Sequence, residues 1–182
     1  RNRAAVLANG LVGENSTWAG EGIVSGIYDK LSMSAGYGHF ETDGWRINNG
    51  QQDDIANVYA QYELSYKTSI QAEYRYRDNE RGDINQRFFR EDYFPNQRIE
   101  VTTKSGRIGL RHAFSPGSIL LGNFQYADKE DNFSDLRYFD ATLDGFPPPP
   151  LGDEIGENPV EEEDYAGELS YLFRSKYIDL VS

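Results

Sequence analysis

The stretch NVYAQYELSYKTSIQAEYRYRD, residues 57–78, changes chemical type at nearly every step. Its even positions are apolar or aromatic: Val58, Ala60, Tyr62, Leu64 and Tyr66, then Ile70, Ala72, Tyr74 and Tyr76. The odd positions between them are almost all polar, including Gln61, Glu63, Ser65, Gln71, Glu73, Arg75 and Arg77. A helix would scatter both classes around its circumference, whereas a period of two puts each class on one face of a pleated strand. The stretch therefore reads as a β-hairpin with one apolar side.

The same period recurs elsewhere. LSMSAGYGHF sets Leu31, Met33, Ala35 and Tyr37 against serine and glycine. GRIGLRHAF sets Ile108, Leu110 and Phe114 against Arg107, Gly109 and Arg111, with His112 the exception on the apolar side. ILLGNFQYAD and DYAGELSYLFRS continue the pattern, the first blurred by Ile119 and Leu121. Two segments resist it: IVSGIYD (23–29) has apolar residues of both parities, and RIEVTT (98–103) has its apolar residues on odd numbers. A β-bulge near Thr103–Ser105 would repair the second phase slip by inserting one residue.

Composition narrows the setting. The chain has 182 residues, no Cys, and 13 Tyr, 10 Phe and 18 Gly in a sequence that is hydrophilic on average. No apolar run is long enough to cross a membrane as a helix. The aromatic content is too high for disorder, and the average too polar for a thick two-layer core. A transmembrane β-barrel reconciles these facts, because only alternate residues meet lipid. A formal charge of −12 argues against nucleic acid as a partner, since gripping phosphates requires cations in bulk.

Connections alternate in length. Short ones fall at Asp29-Lys30, Lys67–Ser69, Ser115–Ser118 and Arg174–Lys176, and long polar ones at 43–53, 79–98 and 129–162. Outer-membrane barrels have this rhythm, with tight periplasmic turns and extended outer loops. Arms of about 10 to 12 residues suit a tilted span, which needs roughly 9 to 11. Tyr28, Tyr66, Phe114, Phe173 and Tyr177 flank the short turns, where an aromatic girdle would sit, and Tyr76, Tyr126 and Tyr165 mark the opposite rim. The fold class expected is all-β, an antiparallel transmembrane β-barrel or a partial barrel within a longer chain. Residues 1–182 read as one barrel segment, with 1–15 a further strand or linker and the last arm, at KYIDLVS, incomplete.

The runs HFETDGWRINNGQQDDI (39–55), IQAEYRYRDNERGDI (70–84) and LLGNFQYADKED (120–131) lie at strand–loop junctions. They resemble the barrel part of certain large bacterial outer-membrane proteins in which tetratricopeptide repeats precede a β-barrel, some of them described as TonB-dependent receptors. The resemblance spans roughly residues 16 to 131. It implies an outer-membrane location in a Gram-negative cell and supplies no catalytic residues. The chain has no helical repeat of its own.

The side opposite the apolar one carries Glu63, Glu73, Arg75, Arg77, Arg107, Arg111, Glu168 and Arg174. These read as a charged lumen lining, which either selects solutes and anchors a plug or simply hydrates the interior. The acidic run GDEIGENPVEEED (152–164) lacks the ligand spacing of a calcium loop and reads as a solvated charge run, stiffened by the preceding FPPPPLG. Arg81-Gly82-Asp83 matches the integrin-binding tripeptide, and Asn15-Ser16-Thr17 and Asn132-Phe133-Ser134 match a glycosylation pattern, all short enough to recur by chance. Two histidines, His39 and His112, give no multi-histidine metal site, and no nucleophile elbow, phosphate loop or dinucleotide fingerprint is present. The functional expectation is a pore, a transport or export conduit, or a membrane anchor, without enzymatic activity, cofactor or metal. Its expected partners are outer-membrane lipid and lipopolysaccharide, whose phosphates divalent cations would bridge to the acidic loops, and periplasmic or secreted proteins. The main alternative is a soluble or secreted β-sandwich or β-solenoid that binds carbohydrate or protein through its tyrosines; an outer-membrane hydrolase built on paired carboxylates is a third.

Overall fold

The alternation at 57–78 is realised as a pair of strands, and the same pairing repeats along the chain. The computed structural model describes residues 2–85, 93–134, 158–174 and 179–181. Its strands are β1 (Arg3–Val12), β2 (Trp18–Tyr28), β3 (Leu31–Thr42), β4 (Gln51–Ser65), β5 (Thr68–Arg81), β6 (Arg98–Ser115), β7 (Ser118–Ser134), β8 (Asn158–Arg174) and the short β9 (Asp179–Val181). Sheet order equals chain order, and every neighbouring pair is antiparallel. No helix occurs among the described residues. β1 pairs with β2 alone and β9 with β8 alone, so these nine strands form an open sheet and not the closed ring of a barrel.

Directly paired residues share a face, so the registers sort the whole sheet into two sides. Leu31, Tyr62, Ile70, Leu110, Gly122 and Leu169 form one continuous row, and Ala35, Val58, Tyr74, Gly106, Tyr126 and Tyr165 another. Both rows lie on the apolar face. Nothing covers them among the described residues: no apolar side chain there is buried, and Ile108 and Leu169 are 60% and 72% exposed. The described residues thus make a single layer without a core. Hydrogen-bonded ladders and cross-strand side-chain pairs hold it together.

Several expectations need correction. The arms are longer than the alternation suggests: β6, β7 and β8 run for 18, 17 and 17 residues. Strand β5 reaches Arg81, β7 reaches Ser134, and β8 starts at Asn158, so much of what read as long loop is paired strand. Beyond the apolar band both faces are polar, which erases the period of two while the backbone ladder continues. No bulge sits at Thr103–Ser105, because β5 and β6 pair without a break from Thr68↔His112 to Arg81↔Ile99. Ile99 and Val101 therefore stand on the polar face, Ile99 opposite Phe133. The register shifts lie instead at Glu63/Ser65 and Ala113/Ser115, beside the tight turns. The turn expected at Lys67–Ser69 is Tyr66-Lys67.

The ambiguous segment 23–29 is explained by its place in the sheet. Val24 and Tyr28 lie on the apolar face, while Ile23 and Ile27 lie on the other, opposite Leu7 and Arg3 of β1. The first two strands are apolar on both sides. The Asp29-Lys30 turn is closed by Asp29 in the left-handed region (φ 52°), which Asp tolerates better than most residues.

Candidate functional site

All eight charged residues expected on one side share the polar face, by register and by the alternation within each strand. Glu73 and Arg107 form an ion pair across β5 and β6. Arg77 instead takes a bidentate partner that the sequence reading missed: its Nε and Nη2 donate to the Asp53 carboxylate on β4, both at 2.8 Å. Arg107, Arg111 and Glu168 line a basin of about 340 Å³ with Gln71, Asn123 and Ser170, and Ser170 donates to Glu168 at 2.9 Å. Arg75 and Arg111 make no ion pair or hydrogen bond among the described residues, which leaves both as uncompensated cations on this face. Glu63 lies near the tight-turn end of β4, and Arg174, at the end of β8, donates its backbone N–H to Gly117 O.

Of the eight aromatic residues expected at the rims, Tyr28, Tyr76, Phe114, Tyr126, Tyr165 and Phe173 are on the apolar face, and Tyr66 is exposed in its turn. Tyr177 lies outside the described residues, as do Asp153, Glu154, Glu157 and the proline run. Tyr126 and Tyr165 stack at 5.0 Å. Trp18, unassigned from sequence, heads the apolar face of β2.

The rims are oblique to the hydrogen-bond rows. The row through Trp18 crosses Glu41, Gln52, Glu80, Glu100 and Asn132, so it meets β7 six positions beyond Tyr126 (132 − 126), five strands on from β2. The upper apolar boundary thus falls by about 1.2 residues per strand; with ~3.3 Å rise and ~4.8 Å strand spacing this is a slope of about 40°. The tight-turn rim falls the same way. The row through Leu31, at the start of β3, meets β7 at Gly122, four positions past its start at Ser118 (122 − 118) and four strands on, a slope of about 35°. Two independent boundaries, one chemical and one topological, run nearly parallel across tilted strands.

Just beyond the upper rim of the apolar face, β2, β3 and β4 build a polar cluster. His39 Nδ1 lies 2.7 Å from Asp54 Oδ1, the Tyr37 hydroxyl donates to the same oxygen, and Gln52 Nε2 donates to Oδ2 at 2.9 Å. The Trp18 ring packs 4.2 Å from the His39 ring, and its Nε1 donates to Glu41 at 2.9 Å. The Tyr37 hydrogen bond, with those of Gln52 and His39, holds Asp54 down at about 2 against its desolvation. The Asp54 hydrogen bond raises His39 above its ordinary value. No serine, threonine or cysteine side chain contacts the His39 imidazole among the described residues. His112, the other histidine, accepts or donates at 2.8 Å to Thr68 Oγ1 and packs edge-on against Phe114.

At the same end, residues 43–50, 82–85 and 93–97 are locked together around Asp83. This carboxylate has no exposed surface; it accepts the backbone N–H groups of Asn85 and Phe94, at 3.2 and 2.9 Å. Arg46 Nη2 donates to the carbonyls of Asp83 and Asn85, and Asn48 Nδ2 to those of Phe94 and Gln97. The carboxylate of the Arg81-Gly82-Asp83 triplet is therefore not presented to a receptor, which agrees with a chance match to the integrin tripeptide. No sequence signal pointed to this knot, because most of its partners are backbone groups, and those that join the two connections lie 34 to 49 residues apart.

Glu161–Asp164 belong to strand β8, and Lys129 pairs with Glu162 at 3.6 Å. They are a laddered acidic strand and not the free loop expected. No protein-family model and no curated protein sequence matches this chain.

Proposed function

We propose that this chain is the membrane-crossing part of a bacterial outer-membrane β-barrel, whose apolar face meets lipid and whose polar face lines the lumen. The observation that carries this reading is the parallel obliquity of the two rims. A lipid slab cuts tilted strands obliquely, and barrel strands tilt by about 35–45°. The slopes of about 35° and 40° fall in that range. From Trp18 to Tyr28 the apolar face of β2 spans ten residue steps (28 − 18), about 33 Å along the strand and about 25 Å along the normal at that tilt, the height of a barrel's apolar band. In water the same face would be an apolar patch far larger than monomers expose.

On this reading the tight turns face the periplasm, and the knotted connections and charged strand ends face outward. The cations Arg75 and Arg111 and the pairs Glu73–Arg107 and Asp53–Arg77 set the field along the conduit. The function is passage or export of solutes, or anchoring of a larger envelope protein that includes tetratricopeptide repeats, without chemistry of its own. Lipid and lipopolysaccharide are its partners, with periplasmic or secreted proteins as candidates for the lumen; nucleic acid is not, given the charge of −12.

Extraction tests the proposal. Membranes of cells making the protein should release it only into detergent, as a folded species whose gel mobility changes on boiling. A folded monomer in the aqueous extract would contradict it and support a secreted sandwich.

A further inference from the structure

Strands β1 and β2 are apolar on both sides, and contact with lipid accounts for only one of them. On the other side the residues are ordered. Leu7, Ile23, Gly36, Asn57 and Arg75 form one row across five strands, passing from two aliphatic side chains through a glycine and an amide to a guanidinium. A parallel row nearer the outer end begins Leu11, Ala19 and Phe40. The alternation within each strand puts both rows on the polar face.

A trough of about 430 Å³ runs between them, with Leu11, Ile23, Phe40 and Ile55 as its apolar lining and Asn57 and Arg75 as its polar end. That volume falls within the range of ligand pockets. Two glycines of β3 shape its floor. At Gly36 the two walls meet, since a Cβ there would lie 2.7 Å from Asn57 Oδ1 and 3.2 Å from Ile23 Cγ1. At Gly38 the floor is open, and a Cβ there would come no nearer than 3.9 Å to any neighbour, the Gly20 carbonyl oxygen.

Charge distinguishes the two ends. Arg75 makes no ion pair or hydrogen bond among the described residues, whereas its neighbours along β5 are spent, Glu73 on Arg107 and Arg77 on Asp53. Glu21, on the β2 wall, accepts from Asn9 Nδ2 at 3.2 Å and repels an anion from that side. An amphiphile with an acidic head would therefore lie with its head on Arg75, whose planar fork matches a carboxylate. A phosphate monoester, at about −1.5 to −2 charges, suits the trough less well, because Arg75 is the only Lys or Arg among the described residues that line it.

From β2 to β5 is three strand spacings of ~4.8 Å, about 14 Å, the length of an extended acyl chain of about ten carbons. We infer that the trough binds a medium-chain fatty acid, with its carboxylate on Arg75 and its chain towards Ile23 and Leu11. The inference rests on the polar face lining a lumen, and it gives the conduit a substrate class.

The test uses the protein folded in lipid nanodiscs and a decanoate that carries a diazirine at its far end, with crosslinked peptides mapped by mass spectrometry. Saturable labelling should fall on Leu7, Leu11 or Ile23, and decanoate should displace it better than decanol or decyl phosphate does. From hexanoate to decanoate, competition should strengthen roughly twofold per added methylene, as half-burial of each group gives. Arg75→Gln should weaken binding about tenfold or more. Gly38→Leu, which the backbone accommodates, should abolish it by filling the floor. Lys67→Gln, which removes a cation from a tight turn, should leave it unchanged, and a gel shift on boiling confirms that each variant is folded. Labelling of apolar-face residues alone, equal displacement by decanol, or equal loss in Arg75→Gln and Lys67→Gln would each overturn the assignment. In a protein that needs detergent for extraction, those results remove the fatty-acid site and leave the lumen standing; a protein folded in water removes both.

Discussion

The sharpest consequence of a lipid-facing side concerns Leu110. It sits midway down β6, four residues (110 − 106) from Gly106 at the upper rim and four (114 − 110) from Phe114 at the lower, between Ile70 and Gly122. At about 3.3 Å per residue and a tilt of about 40°, that places it about 10 Å along the normal from either rim, near the bilayer midplane. A cation at that depth on the lipid face of a barrel costs about 2–4 kcal/mol, falling to about 0–1 near the interfaces. Leu110→Arg should therefore destabilise the protein by about 2–4 kcal/mol in phospholipid vesicles. With a urea m-value of about 2 kcal/mol/M, the unfolding midpoint, followed by Trp fluorescence, should fall by about 1–2 M. Tyr126→Arg, at the rim, should cost about 1 kcal/mol or less, apart from its lost stacking on Tyr165. At a site 42% exposed to water, the same change costs within about 0.5 kcal/mol. A midpoint for Leu110→Arg within error of the wild type, or no lower than that of Tyr126→Arg, would refute the lipid assignment of this face.

Three more outcomes follow from particular contacts. Asp83→Ala removes the buried acceptor of two backbone N–H groups and should cost about 1–3 kcal/mol, read as lost hydrogen-exchange protection at the Asn85 and Phe94 amides; unchanged protection would mean the knot is dispensable. The rim pair should show opposite pH dependence. His39, raised by Asp54, adds stability that is full below its ordinary pKa of about 6.5 and is lost as pH rises through its higher folded value. Asp54, held at about 2, adds stability that is full above about 4 and is lost as pH falls towards 2. Thermal melts between pH 5 and 9 should lose the first of these effects in His39→Gln, and an identical profile in that variant would exclude the pair as its source. Reversing the two uncompensated cations, in Arg75→Glu with Arg111→Glu, should shift the reversal potential in planar bilayers towards cation selectivity; an unmoved potential would remove the polar face from the ion path.

How much was legible in sequence depended on what the residues face. Between Leu31 and Tyr37, or Ile70 and Tyr76, one side must be apolar and the other polar, so the period of two could be read directly. Beyond the rims that demand lapses. Asp78, Thr102 and Glu130 stand in one row on the apolar side's continuation, and their strands look like loop until the register is known. Ile99 and Val101 suggested a bulge for the same reason: beyond the apolar band the two faces no longer differ in polarity, so apolar residues occur on the polar face. The polar-face charges were legible as a group, but not their partners. Arg77 and Asp53 meet only through the β4–β5 register, 24 residues apart. The Asp83 knot was invisible because, apart from the Arg46–Asp83 ion pair, it is built on backbone groups, which carry no residue-type signal.

The account stands on a bilayer boundary that crosses the strands obliquely. The chain has no Cys, so single cysteines at Trp18, Tyr126 and Asn132 can each carry a nitroxide label, and oxygen against nickel-chelate accessibility gives each label's depth in vesicles. Trp18 and Tyr126 should report the same depth at the membrane surface, with Asn132 well outside it, although Trp18 and Asn132 share a hydrogen-bond row. Equal depths for Trp18 and Asn132, with Tyr126 set apart from them, or no oxygen preference at any apolar-face site, would contradict it.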